Sequence, residues 1–131
     1  MGDMYLALGQ APVLLGDIEH NIEIMEKLIS DAQIKCNGKL DLIAFPELFI
    51  TGYNLRDNYS KVAEKIPSSS EAQAKIEALA SKHEVHIATG IVEKSGKALF
   101  NSAIMIGPRG YIGHYRKQFL PNFGPFEEKM F

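Results

Sequence analysis

Apolar residues along this chain alternate between short unbroken runs and spaced stripes, and the two patterns predict different elements. Residues 4–8 form a short apolar run closed by Gly9 and predict a buried strand. Ile18, Ile22, Met25, Ile29 and Ala32 then recur at steps of four and three, the stripe of a helix facing a core. Gly16-Asp17 supplies a turn and an N-cap, Glu19 an acid in the first turn, and Asn37-Gly38 a stop. Residues 40–45 predict a second strand, apolar except for Asp41, and so continuous a run predicts cover on both faces. Pro46 ends it, because proline cannot donate to a ladder.

Residues 47–59 predict a loop turning at Gly52 and Asn54, and residues 60–66 one or two helical turns. Ser68 and Glu71 have the spacing of a capping box. Ala72, Ile76, Leu79 and Ala80 make the buried stripe of the next helix, which ends near Lys82. Strands over 85–92, 98–106 and 111–115 follow, separated by turns at Ser95-Gly96 and Pro108-Arg109-Gly110. The order β-α-β-loop-α-β-β-β predicts a mixed α/β domain with helices covering a sheet.

Length and composition narrow the class. The 131 residues, 46% hydrophobic and 23% charged, suit one globular domain or part of a larger one. Fourteen basic against sixteen acidic residues leave a net charge of −2, so neither nucleic acid nor an anionic membrane is expected as partner. No apolar stretch approaches the ~20 residues that span a bilayer. The opening Met-Gly-Asp lacks the basic start of a signal peptide, and the expectation is a cytoplasmic protein. A single cysteine excludes a disulfide framework and a thiolate-rich zinc site.

Few residues remain to carry chemistry. Glu47 follows a buried strand in Phe45-Pro46-Glu47-Leu48-Phe49, a carboxylate among four apolar neighbours at the end where open α/β sheets collect ligands. Desolvation there is expected to raise its pKa and suit it to general acid–base work, against the alternative of a loop carboxylate capping a turn. Lys117, in Tyr115-Arg116-Lys117-Gln118-Phe119-Leu120-Pro121, could present its ammonium to a developing oxyanion, or be an ordinary solvated lysine. Cys36 sits where the first helix ends, and the negative end of the dipole disfavours a thiolate nucleophile. His83 and His86 lack the spacing of a zinc helix, and no glycine-rich phosphate loop occurs. The stretch 109–115 only faintly echoes an RNA-binding strand, with Ile112 breaking the pattern.

Together these segments resemble a known family. Residues 45–53, Phe-Pro-Glu-Leu-Phe-Ile-Thr-Gly-Tyr, resemble the first catalytic motif of the nitrilase superfamily, the carbon–nitrogen hydrolases. Leu99-Phe100-Asn101-Ser102-Ala103 resembles the strand before the second motif, and residues 115–121 resemble that motif. Leu8-Gly9-Gln10-Ala11 and Gly16-Asp17 resemble the family's opening strand and first helix, so the resemblance covers the chain in the family's order.

The resemblance implies an α-β-β-α sandwich and a Glu-Lys-Cys triad. Glu47 would be the general base that activates a cysteine, and Lys117 would stabilise the tetrahedral intermediate on an amide, carbamoyl or nitrile carbon. A second glutamate follows the lysine in the family; Glu127 and Glu128 both fit, with Glu128 taken, and Tyr53 is the substrate-contact candidate. The family nucleophile lies downstream of the lysine, where this sequence has no cysteine. The expectation is therefore an N-terminal half of the sandwich, one partial domain over 1–131, inactive alone and prone to associate through an exposed sheet face. Family members are commonly oligomers, so a homo-oligomer is expected, with a small-molecule amide or nitrile substrate and neither cofactor nor metal.

Two alternatives remain beside that reading. Residues 120–128 and the Thr51-Gly52-Tyr53 turn resemble the glutaminase domains of glutamine-dependent NAD synthetases, whereas residues 66–93 resemble the amidase and carbamoylase branches. The other alternative is a non-catalytic relic or interaction module, although retained Glu47 and Lys117 would then be buried charge without use.

Overall fold

The computed structural model describes residues 2–124, 126 and 128–131. Its elements are β1 (Leu6–Leu8), α1 (Ile18–Lys35), β2 (Leu42–Ala44), α2 (Tyr59–Val62), α3 (Glu71–His83), β3 (His86–Ser95), β4 (Ala98–Gly107) and β5 (Gly110–Arg116). The strands form one sheet in the order β1-β2-β3-β4-β5. The first three are parallel, joined through α1 and α3, and β3-β4-β5 are antiparallel hairpin neighbours. Successive right-handed crossovers stepping in one direction place both helices on the same face.

That face holds the core. Ile22, Met25 and Ile29 of α1 and Ile76, Leu79 and Ala80 of α3 pack on Ile43, Ile87, Ile91, Ile104 and Ile106 of the sheet. Each such Ile, Leu or Met side chain contributes roughly 1.5–3 kcal/mol when fully buried. Asp17 caps α1 by accepting from the His20 backbone N–H at 3.0 Å, as the sequence predicts. Asn37 and Gly38, both at positive φ, end it.

Several expectations are corrected. The cap of α3 is Ser70, whose hydroxyl accepts from the Gln73 N–H at 2.8 Å, and Glu71 is the first helical residue. Ser68 is therefore not the cap; Ser70 sits two positions closer to the first buried turn. The helical turns expected over 60–66 begin earlier, with a 3₁₀ turn at Arg56–Asn58 running into α2. Residues after Val62 turn extended instead, because Glu64 pairs its backbone with β3, accepting from Lys94 and donating to Val92.

The open face of the sheet overturns a burial expectation. Ile43 faces the helices, but Leu42 and Ala44 are half-buried, so β2 is covered on one face only. In β1, Leu6 and Leu8 point the same way, and Leu8 is 80% exposed. Strand alternation puts Ala103, Met105 and Tyr115 on that face with them. The two long helices, α1 and α3, lie on the other side, whereas the short α2 sets Tyr59 against Val92 on the open face. The architecture is thus a mixed α/β layer pair, α1 and α3 on one face of a five-stranded sheet, corresponding to the α-β part of the expected sandwich.

Candidate functional site

The site forms where the chain leaves β2. Phe45 still joins the ladder through its N–H to Ala88, but Pro46 cannot, and the backbone rises from the sheet into a tight turn. Leu48 closes that turn at φ 50°, an unusual conformation for a leucine, held because its side chain is fully buried against Tyr59 and Val92. The turn lies directly on β3. Gly90 donates to Pro46 O and accepts from the Ile50 N–H, each at 3.3 Å. A Cβ on Gly90 would meet Leu48 N at 2.1 Å and Glu47 C at 2.7 Å, so only glycine lets the two backbones approach. From the far side, buried Asn21 of α1 bonds Ile50 O at 3.0 Å and the Leu14 backbone at both its N–H and C=O.

So held, Glu47 projects over the open face toward β4 and β5. Its Oε1 accepts from Lys117 Nζ at 2.9 Å and from Asn101 Nδ2 at 2.5 Å. Lys117 stands just beyond β5, and its backbone N–H donates to Asn101 O at 2.8 Å. The same ammonium donates to Glu128 Oε1 at 3.1 Å, and Tyr53 donates its hydroxyl to that oxygen at 2.5 Å. Glu128 is anchored by its own N–H to Asn122 Oδ1 and Pro121 O.

Burial grades the three charges. Glu128 is 2% exposed, Lys117 29% and Glu47 41%. Burial works against the charge on Glu47, but hydrogen bonds from Lys117 and Asn101 and the nearby ammonium outweigh it, so its pKa lies below the ordinary carboxylate value. That corrects the expectation of a raised pKa: the desolvation is real, but a cation and an amide donor compensate it. Lys117 is the mirror case, with burial opposed by both carboxylates and its pKa raised. Burial and then the Glu128 contact push the Tyr53 phenol up. Glu128 Oε2 is buried with no partner among the described residues, ready for one more donor.

The arrangement is a carboxylate held ionised beside an ammonium, on the rim of a shallow hollow of about 360 Å³. Phe45, Ala88, Gly90, Ala103 and Tyr115 give that hollow an apolar floor, and Glu47, Asn101 and Lys117 line its edge. Such a pair can accept a proton at Glu47 Oε1 and offer positive charge to a developing oxyanion at Lys117.

The four residues named from sequence, Glu47, Lys117, Glu128 and Tyr53, meet in one network, although Tyr53 turns its hydroxyl to Glu128 and does not line the hollow. Glu127 lies outside the described residues. Cys36 caps the far end of α1, before β2, at the opposite end of the sheet from Glu47. Asn101 was not singled out by sequence reasoning. The available signal was a single amide, next to Ser102, in a strand whose other residues are apolar. Among the described residues no group of three side chains could hold a metal, and no helix is long and apolar enough to cross a membrane.

Comparison with known proteins bears on the family and the fold. The carbon-nitrogen hydrolase family pattern matches residues 5–131. A nitrilase of Pyrococcus abyssi is 41% identical over 101 residues, covering 76% of this chain and 37% of the relative. A glutamine-dependent NAD(+) synthetase of Thermotoga maritima is 28% identical over 131 residues, covering 100% of this chain and 22% of the relative. The crystal structure of Saccharomyces cerevisiae Nit3, described as a member of branch 10 of the nitrilase superfamily, superposes with a TM-score of 0.80. That match has 25% identity and covers 89% of this chain and 45% of Nit3. The chain thus spans less than half the length of each of these relatives, and it corresponds to the N-terminal part of the family's fold. With a family match over nearly all of its length, the chain belongs to the carbon-nitrogen hydrolases.

Proposed function

We propose that residues 1–131 are part of a single carbon–nitrogen hydrolase domain that opens amide, carbamoyl or nitrile bonds through a Glu-Lys-Cys triad. The carrying observation is the Glu47–Lys117 pair, 2.9 Å apart, rising from two separate motifs on one sheet face. Glu47 Oε1 takes the proton of a cysteine thiol supplied by residues beyond those in this sequence. The thiolate then attacks the substrate carbon, and Lys117 stabilises the oxyanion, or the nitrogen anion formed from a nitrile. With an amide or carbamoyl substrate Glu47 returns its proton to the leaving nitrogen and a thioester forms; with a nitrile the proton goes to the nitrogen anion to give a thioimidate, to which one water adds before ammonia leaves and the thioester forms. A water activated by the same carboxylate then resolves the thioester to acid and free thiol.

Asn101 keeps Glu47 aimed while Lys117 shifts its attention to the oxyanion. As it does, the carboxylate loses part of its stabilisation and becomes a better base. Tyr53 and Glu128 hold the ammonium from the other side. The apolar floor suits an uncharged substrate body against the sheet.

A second reading, a glutaminase that feeds ammonia to a synthetase, is favoured by the Thermotoga maritima match, which runs the full length of this chain. Intact-mass spectrometry of the natural-length protein, quenched during turnover of glutamine, simple amides or nitriles, tests both. An acyl adduct on a cysteine downstream of Lys117 is expected, with glutamine alone giving it if the second reading holds. The 131-residue chain by itself should form none; an adduct on Cys36 would overturn the proposal.

A further inference from the structure

The site face of the sheet has a counterpart on its helix face. In β3, β4 and β5 the residues next to the site project the opposite way. Asn101 and Lys117 face the site, so Ser102 and Arg116 face the helices, and they meet Glu93 there. Glu93 is 1% exposed. Arg116 donates to it from Nε, at 3.1 Å to Oε1 and 3.0 Å to Oε2, and from Nη2 to Oε1. Ser102 Oγ donates to Oε2 at 2.7 Å, and His114 Nε2 lies 3.7 Å from it. The Arg116 guanidinium is stacked on Phe100, 3.8 Å from the ring centroid. One carboxylate thus clamps three strands at the end of the sheet where the site lies.

We propose that Glu93 is a positioning residue of the site: through Ser102 and Arg116 it fixes Asn101 and Lys117 against Glu47. Each clamped residue is one peptide from a site residue, and the Lys117 N–H to Asn101 O bond ties the two site residues to each other. The fork geometry of the guanidinium sets the rotation of β5 about its axis, which a point charge would not. Rotation of Arg116 toward or away from Glu93 carries Lys117 with it on the other side. This inference rests on the proposed reading only in treating Glu47 and Lys117 as the working pair.

The test reads position without turnover. In the 131-residue chain carrying ¹³C-labelled glutamate, the titration of the Glu47 carboxyl and the shift of the Asn101 side-chain amide are followed by NMR. Glu93→Asp and Arg116→Lys keep every charge, but the first withdraws the carboxylate by one methylene from the guanidinium and the second loses the fork. In both variants, still cooperatively folded, Glu47 should titrate back toward about 4.3, the ordinary glutamate value, and the Asn101 amide should lose its bonded shift. Ser102→Ala, the mildest change, should move both signals in the same direction and decides the matter if the other two do not fold. Folded variants in which Glu47 and Asn101 stay unchanged would overturn the inference, because a purely structural clamp alters stability and leaves these signals alone. A natural-length protein that shows the shifts but hydrolyses no carbon–nitrogen bond would sink the hydrolase reading and leave the positioning claim standing.

Discussion

Gly90→Ala perturbs the site through a single methyl group. The added Cβ would lie 2.1 Å from Leu48 N and 2.7–2.8 Å from Glu47 C and Cα, all backbone atoms that no side-chain rotation can move aside. Ordinary contact begins near 3.4 Å, so the turn must rise from β3 by about 1 Å or more. Two hydrogen bonds of 3.3 Å, Gly90 N–H to Pro46 O and Ile50 N–H to Gly90 O, are already long and would break. Overpacking of this kind costs about 3 kcal/mol, the upper end of the usual range. Glu47 rides on the displaced segment, so its bonds to Lys117 and Asn101 stretch by a similar distance, and a 1 Å misplacement can cost about 100-fold in rate. Urea unfolding and the Glu47 titration are the assays, with Gly113→Ala as control, since a Cβ there meets nothing within 4 Å. A midpoint and a Glu47 titration in Gly90→Ala equal to wild type would refute the close seating.

Two further outcomes follow from the charges and the open face. Burial of Glu93 is outweighed by the bonds from Arg116 and Ser102, so its folded pKa lies below the unfolded value of about 4.3. A depressed carboxylate contributes stability above that unfolded value and loses it as pH falls through the folded pKa, so the chain should weaken on acidification below about pH 4. Glu93→Gln should flatten that limb of the stability curve, and an unchanged limb would assign acid sensitivity elsewhere. The exposed apolar face, with Leu6, Leu8, Ile112 and Tyr115 more than half exposed, should drive association of the 131-residue chain. Sedimentation should show Leu8→Lys with Tyr115→Lys reducing it; equal association in that variant would place the contact on another surface.

What the sequence disclosed depended on whether a feature is local. Periodicity located α1, because Ile22, Met25 and Ile29 recur along one stripe, and the Asp17 cap is a local bond. The helix stop at Asn37-Gly38 and the order of the strands were legible for the same reason. Burial of β1 and β2 was not. A continuous apolar run reports which side chains avoid water, but Leu6 and Leu8 lie on the face opposite α1 and α3 and are exposed. The positive φ of Leu48 was hidden, since leucine carries no turn signal and the conformation is imposed by its packing against Tyr59 and Val92. Ser68 has the capping-box spacing with Glu71, but three consecutive serines offer the same chemistry and only the start of the buried stripe marks Ser70 as the cap.

The site was half legible. Glu47 stood out as a lone carboxylate past an apolar strand and Lys117 as a cation just past another, and the motif resemblance added Tyr53 after β2 and Glu128 after β5. Asn101 and Glu93 were silent because their importance comes from cross-strand register, which pairs Asn101 with Val92 and Ser102 with Arg116. Strand alternation then turns Asn101 and Lys117 to the site and their chain neighbours Ser102 and Arg116 to the clamp.

The most direct test of the central claim is the rate of ammonia release by the natural-length protein from amide, nitrile and glutamine substrates, comparing wild type with Glu47→Gln. The substitution keeps the size and the Lys117 contact but cannot take a proton. Loss of a general base predicts a fall of about 100-fold or more in turnover for whichever substrate is used. Ammonia release at the wild-type rate in Glu47→Gln would contradict the account, since Glu47 would then be a structural partner of Lys117 and not the base.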